Sequence, residues 1–465
     1  MKYKIWLIVV LGIHVLAGCT LPFADNKLSS RKEKGDTLGL VPDFSYEVVE
    51  QTPNILVNQT GYLPENRKIA ILQGNLLENV FYVYKADTDE IAYEGILKSD
   101  TLGTKEEAEE EMQNDSNIKN IYPADFSEVK EPGTYYLYHS DLGYSYPFEI
   151  RNDIYDKLEK DTLSLIEEKT TDTSLNCYQL AGLLLTKELY PENILEKQRL
   201  EQLCQEKAEH LLQAQDSVTG SVYSDISYAK GVYEPDDTKK QQYISLAATA
   251  EFAGTLAMYA YQIQGTDRNL SYQMQTAAER AYRTIQNSLD NVGYDAGYFA
   301  AANLYRLTGE IKYSQAIGQY LGMKEEQKSY TEYDFSLFGD YAYLTLRQGS
   351  TLEWSELVMK KIMKQAERIA YSSGKNTYYV SEKREYNDMN GILRDMSNMA
   401  LVNYIITNHE YSMLQKNYLD YLLGRNSYNI CFMDGFGSRN AVEDEMKINA
   451  FNGGLFYLLL QSTKI

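Results

Sequence analysis

The stretch from Ala247 to Ile263 reads AATAEFAGTLAMYAYQI, and its apolar residues recur at spacings of three and four. That period is typical of an α-helix with one face in a protein core. Other stretches share this spacing, and many of them end in Gly, Asn or Asp before a polar connection. They include EKAEHLLQAQ (Glu206 to Gln215), AAERAYRTIQNSL (Ala277 to Leu289), FAAANLYRLTG (Phe299 to Gly309) and MALVNYIITN (Met399 to Asn408). The sequence therefore predicts a run of antiparallel helices, arranged as an all-α toroid or bundle.

The earlier part of the chain, residues 53–150, has a different pattern. Short runs of Val, Ile, Tyr and Phe alternate with turn residues, among them the pair Pro132-Gly133. The runs include ILV (Ile55 to Val57), IAIL (Ile69 to Leu72), VFYVY (Val80 to Tyr84) and TYYLYH (Thr134 to His139). Several short strands within about 100 residues are typical of a β-sandwich. We therefore predict a multidomain chain, with a β-sandwich over residues 53–150 and an all-α domain over residues 151–465.

The N-terminus has the features of an export signal. Lys2 and Lys4 precede an apolar run that is too short to span a bilayer comfortably. The run ends in LAGC at Cys19, which resembles a bacterial lipobox and implies cleavage before Cys19 and attachment of a diacylglycerol to its thiol. The alternative is an ordinary secretory cleavage in which Cys19 is incidental. We predict a lipoprotein signal peptide (residues 1–18), a polar tether (residues 19–52) and an exported protein held at the bacterial cell surface or membrane by lipid.

The composition excludes several classes of protein. Of 465 residues, 44% are hydrophobic and 24% are charged, which is typical of a folded globular protein. The net charge of −21 at pH 7 offers no basic surface to nucleic acid. The cysteines and histidines are scattered, so we predict no disulfide framework, no metal site and no cofactor. We expect the later cysteines to be small core residues: Cys177, Cys204 and Cys431.

Two groups of longer motifs follow one another in a definite order. The first group is ILVNQTGYLP (Ile55 to Pro64), IYPADFSEVKEPGTYYLY (Ile121 to Tyr138) and YSYPFEI (Tyr144 to Ile150). The second is GSVYSDIS (Gly220 to Ser227), EPDD (Glu234 to Asp237), YISLAATAEFAGTLA (Tyr243 to Ala257), AANLYRLTGE (Ala301 to Glu310), LDYLLGRN (Leu419 to Asn426) and GFGSRN (Gly435 to Asn440). Together they resemble glycoside hydrolase family 9, the cellulase group. The resemblance implies an immunoglobulin-like β-sandwich followed by an (α/α)6 barrel, shortened in this chain.

Members of that family hydrolyse β-glycosidic bonds with inversion. One carboxylate deprotonates a water on one face of the sugar, and a carboxylic acid on the other face protonates the leaving oxygen. The family places the base in an Asp-Ala-Gly-Asp segment near the start of the barrel, and this segment is missing here. If Tyr178 takes the place of the Tyr that closes the segment, the two Asp positions fall on Thr171 and Ser174. Asp172 is the only local substitute and is therefore the candidate base.

A later stretch spells part of the same segment. Tyr294-Asp295-Ala296-Gly297 lies just before AANLYRLTG, where the family has an ordinary helix entry. We therefore expect Asp295 to be a helix N-cap, since Asp is a preferred residue there.

The C-terminal part of the chain, where the family has its general acid, keeps part of the family pattern. After its GFGSRN-like motif the family has a His-rich segment, an Asn-Glu pair and a helix, whereas AVEDEMKINAFNGGLFYLLL (Ala441 to Leu460) contains no histidine. Glu445 lies near the acid position and is the candidate general acid, with Glu443 as the alternative. An ordinary charged loop residue is the competing interpretation of Glu445. An acid role requires a raised pKa, which a neighbouring carboxylate favours.

Tyrosines are the candidate residues for substrate binding. The chain has 42 Tyr against 13 Phe and 2 Trp, and a ring with a hydroxyl suits a surface that stacks on or hydrogen-bonds a polar ligand. Trp6 leaves with the signal peptide, so Trp354 is the tryptophan that remains. Tyrosines that flank the retained motifs are the candidates for lining a cleft: Tyr223, Tyr228, Tyr233 and Tyr243. Helix packing is the competing interpretation of each.

Three hypotheses for function remain open. The first is a surface lipoprotein that acts on a β-glucan-type polysaccharide or oligosaccharide by inverting hydrolysis of O-glycosidic bonds. The second is a non-catalytic saccharide-binding or scaffold lipoprotein that kept the barrel and lost the chemistry, which the missing base segment favours. The third is a structural surface protein without affinity for sugars. In the first two, the partners are a polysaccharide or oligosaccharide ligand and the membrane, reached through the lipid anchor.

Overall fold

The computed structural model describes residues 52–98, 120–229, 243–288, 291–347, 349–381 and 388–464. The predicted signal peptide, the lipidation residue Cys19, most of the tether and Tyr233 lie outside these ranges. Within them, no helix combines the length and the apolar character that crossing a bilayer requires.

The first part of the chain is an antiparallel β-sandwich, as predicted. One sheet has the strand order β1-β2-β5, and the other has the order β4-β3-β6-β7 with β8 also paired to β6. Side chains alternate along β6, where Tyr135 and Leu137 are buried between less buried neighbours. The strands are β1 (Ile55–Leu56), β2 (Ile69–Gln73), β3 (Val80–Lys85), β4 (Ile91–Ile96), β5 (Ile121–Asp125), β6 (Gly133–His139), β7 (Gly143–Tyr144) and β8 (Phe148–Ile150).

The second part is helical, and its helices alternate between two kinds. Those with odd numbers bury one stripe, as in α9, where Val358, Ile362 and Ala366 are buried at a spacing of four. Those with even numbers are buried on nearly all sides. Apart from a four-residue helix at Ile226–Ala229, the described α-helices are α1 (Asp156–Glu167), α2 (Thr173–Leu189), α3 (Lys197–Leu212), α4 (Leu246–Ile263), α5 (Arg268–Ile285), α6 (Tyr294–Thr308), α7 (Ile311–Leu321), α8 (Ser336–Leu344), α9 (Leu352–Lys375), α10 (Met389–Ile405), α11 (His409–Leu422) and α12 (Gly453–Ser462).

The even-numbered helices form a closed inner ring. In the described part of the chain, contacts run from α2 to α4, α6, α8, α10 and α12, and from α12 back to α2. Because an outer helix returns the chain between consecutive inner helices, all inner helices run in the same direction. Their N-termini therefore meet at one end of the barrel, which we call the mouth, and their C-termini meet at the closed end. This arrangement confirms the predicted (α/α)6 barrel.

The ring closes where two glycines meet. A Cβ atom on Gly182 of α2 would lie 3.0 Å from the backbone carbonyl carbon of Gly454 on α12. Since real Cβ atoms rarely approach so closely, the first and last inner helices depend on glycine for their contact.

The sandwich is fixed to the barrel by the motifs that carry the family resemblance. Asn58 Nδ2 donates to Asp420 Oδ1 at 2.9 Å, and the Gln59 amide donates to the carbonyl of Leu423 at 2.9 Å. Asp420 also pairs with the buried Arg425 guanidinium at 3.5 Å. Burial raises the pKa of Asp420 to about 6. The NQTGY and LDYLLGRN motifs therefore form a polar interface between the two parts.

Much of the tyrosine excess belongs to the core. Seven of the largest fully buried side chains are tyrosines: Tyr62, Tyr135, Tyr298, Tyr313, Tyr320, Tyr418 and Tyr457. The three described cysteines are buried and free, as the sequence predicted.

Candidate active site

Polar side chains from several inner helices converge at the mouth. They come from the N-cap of α2, from the first two turns of α2, α4, α6 and α10, and from the loop that leads into α8. We call them the mouth cluster: Asp172, Ser174, Glu251, Asp295, Thr331, Tyr333 and Arg394.

Asp172, the candidate base, is the N-cap of α2. Its Oδ1 accepts a hydrogen bond from the Leu175 amide at 2.8 Å, and the side chain is half-buried. A capping carboxylate satisfies a backbone N–H that has no partner within the helix. Asp172 thus has a structural task, and its role as base stays a prediction.

The two positions to which the family resemblance assigns the base carry hydroxyls. Thr171 is exposed, and its Oγ1 donates to Asp225 Oδ2 at 2.7 Å. Ser174, the second residue of α2, is half-buried and hydrogen-bonds the carboxyl group of Glu251 on α4.

Glu251 is a functional candidate that the sequence reasoning missed. The side chain is 1% exposed, and its Oε2 has no hydrogen-bond partner among the described residues. Burial raises the pKa of Glu251 to about 7; hydrogen bonding from Ser174 and Thr331 opposes this, and the charges of Asp295 and Asp172 add to it. A signal was present, because Glu251 is the only charged residue in the helix LAATAEFAGTLAMYAYQI.

Asp295 is not a helix N-cap, so that expectation was wrong. The N-cap of α6 is Gly293, which has a φ of 94°. Asp295 lies in the first turn and is fully buried, and its carboxylate accepts from the Thr331 amide at 2.8 Å, the Thr331 hydroxyl at 2.5 Å and the Phe335 amide at 3.0 Å. Asp295 bonds to the loop that enters α8 and does not cap α6, because these bonds satisfy two backbone N–H groups of that loop.

A row of aromatic rings crosses the same end of the barrel. The centroid of Tyr333 lies 5.3 Å from that of Tyr178 and 5.0 Å from that of Phe451, which precedes α12. Arg394 of α10 hydrogen-bonds Tyr178 and donates from Nη2 to the Glu332 carbonyl at 3.2 Å. The row of rings therefore connects α2 with the segments that precede α8 and α12.

Both candidates for the general acid lie on the surface. Glu445 is in a short 3-10 turn, Asp444–Met446, and Glu443 directly precedes it. Both side chains are exposed. The Lys447 ammonium, at 3.0 Å, pairs with the adjacent Asp444 and not with either glutamate. The segment leads into α12 and therefore belongs to the mouth end, and the role of Glu445 stays a prediction.

The candidate substrate-binding tyrosines differ in their surroundings. Tyr223 is buried and donates its hydroxyl to Asp216 Oδ2 at 3.1 Å. Tyr228 and Tyr243 are half-buried and stack on each other, with ring centroids 3.8 Å apart. Substrate binding by these residues is untested and stays a prediction.

Comparisons with known proteins agree with this fold. The family model for glycosyl hydrolase family 9 matches residues 174–444, and the model for the cellulase N-terminal ig-like domain matches residues 50–143. Among curated relatives, Endoglucanase D of Acetivibrio thermocellus is 33% identical over 102 residues, which is 22% of this chain and 14% of that protein. Cellulose 1,4-beta-cellobiosidase of the same organism is 27% identical over 128 residues, which is 26% of this chain and 13% of that protein.

Solved structures resemble the chain over most of its length. A metagenome-derived glycoside hydrolase family 9 endoglucanase has a TM-score of 0.71 at 17% identity, covering 88% of this chain and 99% of that one. AaCel9A in complex with cellobiose-like isofagomine has a TM-score of 0.70 at 16% identity, covering 88% and 99%. The family model spans more than half of the chain, from the start of α2 to the segment that precedes α12. The chain therefore belongs to glycosyl hydrolase family 9 and carries a cellulase N-terminal ig-like domain.

Proposed function

We propose that the protein hydrolyses O-glycosidic bonds of a β-glucan-type polysaccharide or oligosaccharide with inversion. The observation that carries the proposal is the mouth cluster, in which three neighbouring inner helices bring Asp172, Glu251 and Asp295 to one place. An aromatic row containing Tyr333 lies beside them, and rings of this kind suit the apolar face of a sugar. The curated relatives bear the names of cellulose-degrading enzymes, which supports the choice of substrate class.

In this proposal Glu445 protonates the leaving oxygen. Inversion requires a proton donor and a proton acceptor on opposite faces of the sugar. Glu445 lies on the segment that enters α12, and the acceptor belongs to the neighbouring helices α2 and α4. The test is to incubate the protein with a panel of β-glucans, to assay reducing ends and to determine the anomer that is first released.

The matched pair of variants is Glu445→Gln and Glu443→Gln, since both residues are exposed and close in sequence. We expect Glu445→Gln to lose about 100-fold or more in turnover and Glu443→Gln to retain it, because a general acid contributes on the order of 10² to 10⁴. Wild-type protein that releases no reducing end from any glucan would refute the hydrolase function.

The proposal includes export and anchoring. A signal peptide over residues 1–18, a lipid on Cys19 and a tether over residues 19–52 would hold the barrel at the outer side of a bacterial membrane. Expression of the full chain with Cys19→Ser tests this, and we expect the protein to move from the membrane fraction to the soluble fraction. An unchanged distribution would exclude the lipid anchor.

A second candidate function is saccharide binding without turnover. The cap made by Asp172 and the exposed position of Glu445 favour it, because the first carboxylate is already engaged by a backbone amide and the second lies on the surface. Calorimetry that detects oligosaccharide binding to a protein without hydrolytic activity would establish this alternative.

A further inference from the structure

Glu251 is a buried carboxyl group without a compensating cation. Its side chain is 1% exposed within an otherwise uncharged helix, and Oε2 makes no hydrogen bond to the described residues. A buried carboxyl group without a partner opposes folding. Such groups are commonly retained at functional sites.

The groups that face Glu251 are hydroxyls and acids. Helix α2 contributes Asp172, Ser174 and Cys177, α6 contributes Asp295, and the loop before α8 contributes Thr331 and Tyr333. The largest influences on Glu251 are burial, the hydroxyls of Ser174 and Thr331, and the acids Asp295 and Asp172. Arg394, the cation of the mouth cluster, hydrogen-bonds Tyr178 and the Glu332 carbonyl. A proton that enters this cluster therefore finds an acceptor with a free oxygen at Glu251.

The geometry distinguishes the two hydroxyls. The Thr331 hydroxyl donates to Asp295 Oδ2 at 2.5 Å and also lies within hydrogen-bonding reach of Glu251, so its one hydrogen is shared between two carboxyl groups. Ser174 is half-buried, whereas Glu251 is enclosed behind it. A water at the mouth can reach the Ser174 hydroxyl, and Ser174 can in turn reach the carboxylate.

We propose that Ser174 and Glu251 form the proton-accepting pair of the hydrolytic site, an inference that rests on the proposed function. As the oxygen of the attacking water bonds to the anomeric carbon, the bond from that carbon to the leaving oxygen breaks. One proton of the water passes to Ser174 Oγ, and the Ser174 hydroxyl proton passes to Glu251. The general acid gives its proton to the leaving oxygen, so charge and atoms balance. Glu251 then returns its proton to solvent by the same route.

The raised pKa of Glu251 suits this role. The pKa of about 7 leaves a substantial ionised fraction near neutral pH, as an efficient general base requires. The pair therefore predicts that kcat/KM rises with pH up to about pH 7 and bends there.

The experiment compares Glu251→Gln and Ser174→Ala with wild type on a β-glucan that the wild type hydrolyses. Removal of a general base lowers the rate by about 10² to 10⁴, so we expect kcat of Glu251→Gln to fall by at least about 100-fold while KM stays within about threefold. We expect a smaller loss for Ser174→Ala, because a water can replace the hydroxyl. Glu188→Gln, the same change at the closed end, is the matched control and should keep the wild-type kcat.

A double variant distinguishes a loss of proton transfer from a loss of the native structure. Ser174→Asp together with Glu251→Gln places a carboxylate directly at the mouth, and we expect it to recover at least about tenfold over Glu251→Gln with its pH bend shifted to lower pH. A double variant no more active than Glu251→Gln, or a Glu251→Gln variant as active as wild type, would overturn the pair alone. A wild type inactive on every glucan would overturn the proposed function and the pair together.

Discussion

The two ends of the barrel each hold a glutamate from the inner ring, half-buried Glu188 at the closed end and buried Glu251 at the mouth, and their partners differ. At the closed end, Glu188 accepts from Arg306 at 3.1 and 2.6 Å, from Tyr341 at 2.6 Å and from Gln262 at 2.8 Å. These partners belong to α2, α4, α6 and α8, so one carboxylate joins four inner helices. At the mouth, Glu251 faces hydroxyls and other acids.

The difference indicates that the charged group at the closed end stabilises the fold, whereas the one at the mouth does not. Breaking the Glu188 network would strand a charge, since the side chain of Arg306 is only 5% exposed. The mouth instead brings like charges together and leaves an oxygen without a partner, which opposes folding. Neighbouring acids around a buried glutamate whose Oε2 has no partner among the described residues indicate that the mouth is maintained for function.

The largest expected effect is at the closed end. Glu188→Ala leaves the Arg306 guanidinium buried without its carboxylate, and we expect the free energy of unfolding to fall by about 3–5 kcal/mol. Urea unfolding measures it. The matched control is Glu188→Met combined with Arg306→Met, which removes both charges and should recover most of the loss. A loss below about 1 kcal/mol would mean that the network does not hold the helices together.

At the mouth, the corresponding change is expected to stabilise the protein. The pKa of Glu251 is raised from 4.5 to about 7, so the folded state favours the protonated form. The stability contributed by that proton is complete below about pH 4.5 and is lost as the pH rises through about 7. Glu251→Gln keeps a neutral side chain at every pH. Its free energy of unfolding should therefore exceed that of wild type by about 3 kcal/mol at pH 8 and equal that of wild type at pH 4.

Unfolding curves at several pH values test this sign. Equal stability of wild type and Glu251→Gln at pH 8 would show that Glu251 ionises without penalty, and the contrast between the two ends would then fail.

Asp295 provides a sharper contrast within the mouth itself. Its carboxylate satisfies the amides of Thr331 and Phe335, so Asp295→Ala leaves two buried N–H groups without partners. We expect the free energy of unfolding to fall by about 2–3 kcal/mol at neutral pH, opposite in sign to Glu251→Gln. Chemical denaturation of both variants in one buffer compares them, and an effect of the same sign would contradict the division of roles.

The smallest effect is expected at Asp172. Removing its cap of the Leu175 amide in Asp172→Ala should lower the free energy of unfolding by about 1 kcal/mol. Asp172→Asn keeps a capping side chain and should keep turnover within about threefold of wild type. If Asp172→Asn abolished turnover, Asp172 would be the base, and the pair of Ser174 and Glu251 would be excluded.

The sequence predicted the architecture well, because periodicity and turn residues are local signals. Short runs of strand-forming residues between turns predicted the sandwich, and helical spacing predicted a run of antiparallel helices. The ordered motifs predicted the family and, with it, the (α/α)6 barrel. Local signals could not show that Asn58 of one motif donates to Asp420 of another. They also gave the wrong role for Asp295, since an N-cap rule concerns only neighbours in sequence and the actual partners lie 36 and 40 residues away.

The site was harder to predict for the same reason. Glu188 and Glu251 both lie in largely apolar helices, and the sequence does not say which of them meets a cation. Arg306 reaches Glu188 from another helix, 118 residues along the chain. The uncompensated state of Glu251 is therefore a property of the assembled ring.

The most direct test of the contrast is a pH titration of the Glu251 carboxyl group in the folded protein. The infrared spectrum of wild type minus that of Glu251→Gln isolates the carbonyl stretch of the protonated acid. We predict that this band disappears with a midpoint near pH 7, in keeping with the pKa of about 7. A midpoint below about pH 5, close to the ordinary value of a glutamate, would contradict the account.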